Sequence, residues 1–294
     1  MRATGARGHR LGVALVTLSA VIWSTAGFFT RLISVDTWTL LFWRSIFGAL
    51  FLAAVLVWQE RRGTLRAIRS LGWPGWFVAI FATVAMLSYL FALRLTAVAD
   101  VMIIYATVPF VVAALAWLVM RERASRPTLV ASVVASVGVV VMLRGAPLAG
   151  NVWGDVLAFV MTVAYAAMLV VLRKHREVTM ISAAWLSALL GAAVTLPLAA
   201  PTAVGARDLL YLALFGTSQM GLGFLVLTVG SRLIPATENA LIGTLDTPLS
   251  PLWVWLAFGE VPTTAALVGG TVVLTAVVGH IVAESRRQPD PGAA

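Results

Sequence analysis

The chain has 294 residues, of which 61% are hydrophobic and 11% charged, with a net charge of +9 and no cysteine. A soluble domain carries roughly 25% charged residues to wet its surface, so most of this surface must face lipid, and the lack of cysteine excludes disulfides, thiolate metal sites and cysteine catalysis. The positive charge does not form a nucleic-acid-binding stripe: it lies in short clusters between apolar runs, at Arg61, Arg62, Arg66 and Arg69, at Arg121, Arg123 and Arg126, and at Arg173, Lys174 and Arg176, as the positive-inside rule places basic loops.

A membrane span needs about 20 mostly apolar residues. Ten such segments are expected, at 11–33, 37–58, 73–95, 98–120, 127–144, 152–172, 180–200, 208–230, 236–258 and 264–283. The first follows Arg2, Arg7 and Arg10 as a signal peptide would, but its apolar run from Leu11 to Ile33 exceeds the roughly 7–15 residues of a signal core. It reads as a retained helix carrying Trp23. The second span holds Arg44, which either snorkels outward, pairs with an acid, or grips a substrate carboxylate with two parallel hydrogen bonds. Tyr89 lies in the third span, Tyr105 and the kink residue Pro109 in the fourth, Tyr165 in the sixth and Gln219 in the eighth. The ninth holds Asn239, then Asp246 near its middle, then Pro248 and Pro251. A charge at that depth costs roughly 2.5–3.5 kcal/mol on insertion scales, so Asp246 should face a cavity or a partner, beside carbonyls that the prolines release. The aromatic and amide side chains would line a cavity amphipathically or act as interhelical glue. Trp38, Trp58, Trp73, Trp76 and Trp153 fall at span ends as interface anchors. Ala131, Ser132, Ala135 and Ser136 in the fifth span, with Ala266, Gly269 and Gly270 in the tenth, allow close helix approach, in a monomer or a homodimer.

Sixteen of the 21 Lys and Arg fall on the side of the N-terminus, four (Arg31, Arg94, Arg144 and Arg207) on the other, and Arg44 inside a span. Both termini are therefore expected in the cytoplasm. The halves also repeat. WLVMRE at Trp117–Glu122 returns as WLAFGE at Trp255–Glu260, and the same offset of 138 pairs Arg94-Leu95 with Arg232-Leu233 and Ala99-Asp100 with Thr237-Glu238. Near the start of each half an offset of about 142 pairs Gly12 with Gly154, Trp23 with Tyr165, Arg31 with Arg173 and Trp43 with Trp185. Five spans per copy is an odd number, so the repeats, 1–148 and 149–294, should be inverted, with a binding site near the midplane between them. Glu122 and Glu260 lie at opposite surfaces and read as structural.

Ten spans in two five-span repeats, each with a proline-containing fourth span ending in W-L-x-x-x-E before a small-residue fifth span, resemble the EamA-type permeases of the drug/metabolite transporter superfamily. Within it the chain is most similar to bacterial aromatic amino-acid exporters of the YddG type. The resemblance covers essentially the whole chain. It implies a proton- or gradient-linked exporter of amino acids or related metabolites in a bacterial inner membrane. A lipophilic-cation or multidrug exporter is the alternative within the superfamily. No ATP-binding, cofactor or metal motif is present, and His9, His175 and His280 form no catalytic signature. An intramembrane enzyme or a channel is thus the remoter reading.

Overall fold

In hydrocarbon a backbone must satisfy its own hydrogen bonds, which an apolar segment does by coiling into a helix. The computed structural model is all-helical and describes residues 6–60, 71–96, 98–144, 151–175, 181–259 and 261–287. Arg2, the Arg61–Arg69 cluster, Arg176 and the motif residue Glu260 lie outside the described residues.

The first expected segment is α1 (Ala6–Ser24) and α2 (Ala26–Leu32), parted at Thr25. There the hydroxyls of Ser24 and Thr25 donate back to the carbonyls of Val21 and Ile22, each at 2.6 Å, a bond that bends helices. α3 (Thr37–Glu60) starts where Asp36 accepts from the amides of Trp38 and Thr39 at 2.9 and 3.1 Å. α4 (Gly72–Leu95) is the third segment. The fourth divides into α5 (Val98–Tyr105) and α6 (Val108–Met120). Pro109 has no amide proton to continue the ladder, the Phe110 amide turns to the Thr107 carbonyl, and the Ser136 hydroxyl takes the Ala106 carbonyl at 2.9 Å. Ser136 is thus a repair of the break as well as a packing residue.

α7 (Arg126–Met142) and α8 (Val152–Lys174) are capped by Ser125 and Asn151, whose side-chain oxygens accept from the first-turn amides. α9 (Ile181–Thr195) runs into a 3-10 turn at Leu196–Leu198. The eighth segment is α10 (Ala206–Phe215), a π-helical stretch (Gly216–Gly223) and α11 (Phe224–Gly230). The ninth is α12 (Ala236–Gly243) and α13 (Asp246–Phe258), broken four residues before Pro248, which cannot donate to Thr244. α14 (Thr264–Arg287) closes the bundle.

Eight of these segments are helical stretches of 18 residues or more, apolar enough to cross a membrane. The other two of the ten expected are the fifth, whose helix has 17 residues, and the ninth, which is interrupted at Thr244 and Leu245. Large apolar side chains such as Leu50, Val130, Phe159 and Leu256 point outward, while Ser45, Ser132, Thr162 and Ser187 are buried. Such an apolar exterior suits a lipid-facing surface, and the small buried hydroxyls suit helix packing within it. The anchors Trp58, Trp73, Trp76 and Trp153 are exposed.

The packing pairs recur under exchange of the halves. α4 lies along α8 as α11 lies along α1, α3 packs on the π stretch as α9 packs on α4, and α5 packs on α8 as α12 packs on α1. The pairs α7–α14, α3–α9 and α6–α12 join equivalent segments of the two halves. Glycines set the distances. A Cβ on Gly12 would lie 2.7 Å from Ile234, and one on Gly154 would lie 2.6 Å from Thr96, and the residues in each comparison are repeat equivalents. The small residues of α7 and α14 also meet, with no room for a Cβ between Gly269 and the Gly138 carbonyl.

Candidate functional site

The broken segments converge on one cavity of about 530 Å³. Of the eight binding residues expected from sequence, seven line it: Trp23, Arg44, Tyr89, Tyr105, Tyr165, Gln219 and Asp246. Pro251 also lines it, whereas Pro109 and Pro248 are buried elsewhere in the packing. Asn239 does not reach the cavity. It sits on α12, fully buried, where its side-chain amide donates to the Ser231 hydroxyl at 2.6 Å. The break at Thr244–Leu245 explains the difference, because it leaves α12 at one end of the bundle and delivers only α13 to the cavity.

Asp246 is the first residue of α13, where the partial positive charge of the helix start favours an anion. The Thr247 hydroxyl donates to its Oδ1 at 3.1 Å, and Tyr105 lies within electrostatic reach of the same carboxyl. Arg44 enters from α3, with its guanidinium carbon 5.3 Å from the centre of the Phe215 ring and its Nε buried without a hydrogen-bond partner. Among the described residues neither Arg44 nor Asp246 is in a salt bridge, and Tyr89 lies within electrostatic reach of both. Of the alternatives open for Arg44, a direct pair with Asp246 is therefore not formed here.

Between them runs an aromatic wall. Trp23 and Tyr165, equivalent in the two halves, have ring centroids 6.3 Å apart, and Tyr105 lies 6.2 Å beyond Tyr165. Trp23 donates its indole N–H to the Gln219 carbonyl at 3.1 Å. Gln219 in turn donates its amide to the Ile22 and Trp23 carbonyls at 3.1 and 3.0 Å and to the Thr25 hydroxyl. That residue holds the break between α1 and α2 rather than offering its N–H groups to the cavity. The π stretch makes this reach possible: its glycines Gly216 and Gly223 leave no space for a Cβ against the Arg44 carbonyl and the Trp23 indole, and π turns recur at functional sites.

Sequence reasoning missed the methionines. Met86, Met102, Met142, Met161, Met168 and Met220 all line the cavity, six of nine in the chain. A signal was present: Met86 precedes Tyr89 and Met102 precedes Tyr105 by three residues, and Met161, Tyr165 and Met168 share one face of α8. Flexible, polarisable thioethers adapt to varied apolar ligands. Among the described residues no group of three or more His, Asp or Glu side chains is arranged to hold a metal ion.

The sequence model of the EamA-like transporter family matches residues 10–144 and again 152–282. An uncharacterized transporter of Archaeoglobus fulgidus is 28% identical over 295 residues, spanning 92% of this chain and 97% of that protein. An S-adenosylmethionine uptake transporter of Rickettsia bellii is 28% identical over 208 residues, spanning 68% of this chain and 69% of its own length, and one of Rickettsia conorii is 26% identical over 205. A solved crystal structure superimposes with a TM-score of 0.77 at 19% identity, over 95% of this chain and 99% of that one, a likeness of fold. With two matches that together take in most of its length, the chain belongs to the EamA-like transporter family, a multi-pass membrane transporter of the drug/metabolite superfamily.

Proposed function

We propose that the chain is a secondary carrier that moves an amino-acid-type zwitterion with an apolar or aromatic side group across the bilayer by alternating access. The observation that carries this reading is the pair of opposite, unpaired charges, Arg44 and Asp246, facing one cavity walled by aromatic rings and thioethers. Arg44 offers a planar fork to the substrate carboxylate, and Asp246, steadied by Tyr105 and Thr247, takes the ammonium. The side group rests against Trp23, Tyr165 and the methionines. The cavity falls within the roughly 300–1,000 Å³ of small-ligand sites.

The exchange of packing partners between halves, and the matched close approaches of Gly12 and Gly154, support two inverted five-helix repeats over 1–148 and 149–294. In such folds rocking of one half against the other exposes a midplane site to each side in turn. The charge asymmetry supports cytoplasmic termini in a bacterial inner membrane. Export, implied by the resemblance, has no counterpart among the relatives described above, two of which are named for uptake; a gradient-driven carrier runs whichever way the gradient points.

A second reading has its own observation. Thioethers and tyrosine rings also suit a sulfonium or other soft organic cation, and two relatives are named for S-adenosylmethionine, itself an amino acid with a sulfonium centre. Uptake into proteoliposomes of a labelled panel, with apolar and aromatic amino acids, S-adenosylmethionine and a lipophilic cation without a carboxylate, separates these readings. Saturable counterflow of an amino acid that Arg44→Gln weakens supports the zwitterion reading. Transport of the carboxylate-free cation alone, unaffected by Arg44→Gln, would falsify it.

A further inference from the structure

A second polar cluster lies away from the cavity and contains two of the histidines that no sequence motif explains. Glu238 is the third residue of α12, and its side chain is 4% exposed. His9 on α1 bonds through Nε2 to its Oε2 at 2.9 Å. His280 on α14, with a side chain 2% exposed, places its Nε2 3.7 Å from Oε1. That Nε2 and that Oε1 are both buried and have no hydrogen-bond partner. Two orphaned polar atoms of opposite potential therefore face each other across a gap slightly too long for a bond. Leaving such groups buried costs roughly 1–3 kcal/mol each, so the arrangement needs a purpose or a missing particle.

Charge counting names the particle. With both imidazoles neutral the cluster carries one buried carboxylate charge. The charged groups acting on Glu238 among the described residues are His9 and His280. Other charged side chains at this end are Arg10 beside His9, Glu284 one turn beyond His280, Arg232 ahead of α12, and Arg173 on α8. Arg173 donates to Glu122 and to the Arg232 carbonyl at 3.3 and 2.9 Å. One proton taken from water onto the imidazole of His280 forms an N–H bond, makes the cluster neutral overall and turns the open gap into a charge-assisted hydrogen bond.

We propose that His9, Glu238 and His280 form a proton-binding site, separate from the substrate cavity, that makes transport depend on the pH at this end of the bundle. None of the three lines the cavity. The site joins the basic ends of α1, α12 and α14, so its occupancy sets how tightly this end is closed. α12 connects through Thr244 and Leu245 to Asp246 in the cavity, so a shift of α12 is felt where substrate binds. The repeat equivalent of Glu238 is Asp100, and it too is tied across helices: the Thr96 hydroxyl bonds to Asp100 at 3.0 Å and to Asp155 on α8 at 3.1 Å. The remaining histidine, His175, lies at the far end of α8 from Asp155, so the pH response belongs to one end only.

The proposal rests on the chain being a carrier but not on which substrate it carries, and its test begins without a substrate. The chain has no cysteine, so spin labels at Leu11→Cys on α1 and Val278→Cys on α14, both lipid-exposed positions, report the separation of two of the joined helices in liposomes. The distance distribution of this otherwise unaltered pair is expected to change in one step when the pH is lowered from about 8 to 5. His280→Gln and Glu238→Gln are each expected to remove that step. A distribution constant over this range, or a step that persists unshifted in His280→Gln, overturns the proposal. The first of these outcomes needs no substitution in the cluster, so a variant that fails to fold does not rescue the idea. With any amino acid that the panel shows to be carried, uptake should change between about pH 5 and 8 in the unaltered chain and lose that dependence in Glu238→Gln; uptake independent of pH in the unaltered chain, or an unchanged dependence in the variant, also overturns it. If no panel member is carried, the zwitterion reading fails while the label measurement still decides this one.

Discussion

In the function proposed above, Arg44 and Asp246 bind the substrate's two charges because the fold leaves them unpaired inside the protein, where a ligand charge meets less competition than at a surface. Losing one charge-assisted hydrogen bond costs roughly 1.5–3 kcal/mol, or about ten- to hundredfold in affinity. Arg44→Gln is accordingly expected to raise KM for a zwitterion by about that factor, measured as counterflow in proteoliposomes. Asp246→Asn should cut transport at least about tenfold while the protein still inserts, because the amide keeps the shape and loses the charge; uptake at the wild-type rate would remove Asp246 from the site. Asn239 behaves differently. Its role is the buried bond to Ser231, so Asn239→Ala should lower thermal stability, by about 1–3 kcal/mol, and leave KM unchanged. Asn239 and Asp246 could not be told apart in sequence. They are seven residues apart and both polar in an apolar run, and only the break between them sends one to the cavity and the other into the helix packing.

At the scale of elements, the interruptions matter more than the helices. The first, fourth, eighth and ninth segments each break, at Thr25, at Ala106–Thr107, in the π stretch and at Thr244–Leu245, and these points bring Trp23, Tyr105, Gln219 and Asp246 to the cavity. Two of the four breaks were legible from proline, which removes a donor wherever it stands. The other two depend on hydroxyls bonding back into the helix and on glycines pressed against a neighbour, and those have no signature until the neighbour is known. Close approach makes its own prediction. A side chain on Gly269 meets the backbone of Gly138 and Met142, whereas one on Gly279 meets nothing within 4 Å. Gly269→Leu should therefore push α14 off α7 and lower the thermal midpoint by several degrees, and Gly279→Leu should not; equal midpoints for the two variants would contradict the packing described.

For the whole molecule, the lack of native cysteine makes orientation directly measurable. A cysteine replacing Arg123 should react with an impermeant maleimide only after the membrane is opened, and one replacing Thr202 should react in intact cells; the reverse pattern would invert the topology. Composition and charge by themselves determined that the chain lives in lipid, roughly where it crosses and which side is basic, because hydrocarbon imposes a nearly one-dimensional rule on length and polarity. The internal repeat was also legible, since equivalent motifs stand at a nearly constant offset. What the tertiary structure decided was which polar residues share a space. Met86, Met220, Arg44 and Asp246 come from four separate helical segments, and His9, Glu238 and His280 from three. Their proximity depends on helix rotation and on the breaks, quantities fixed by packing between segments rather than by the period of any one of them.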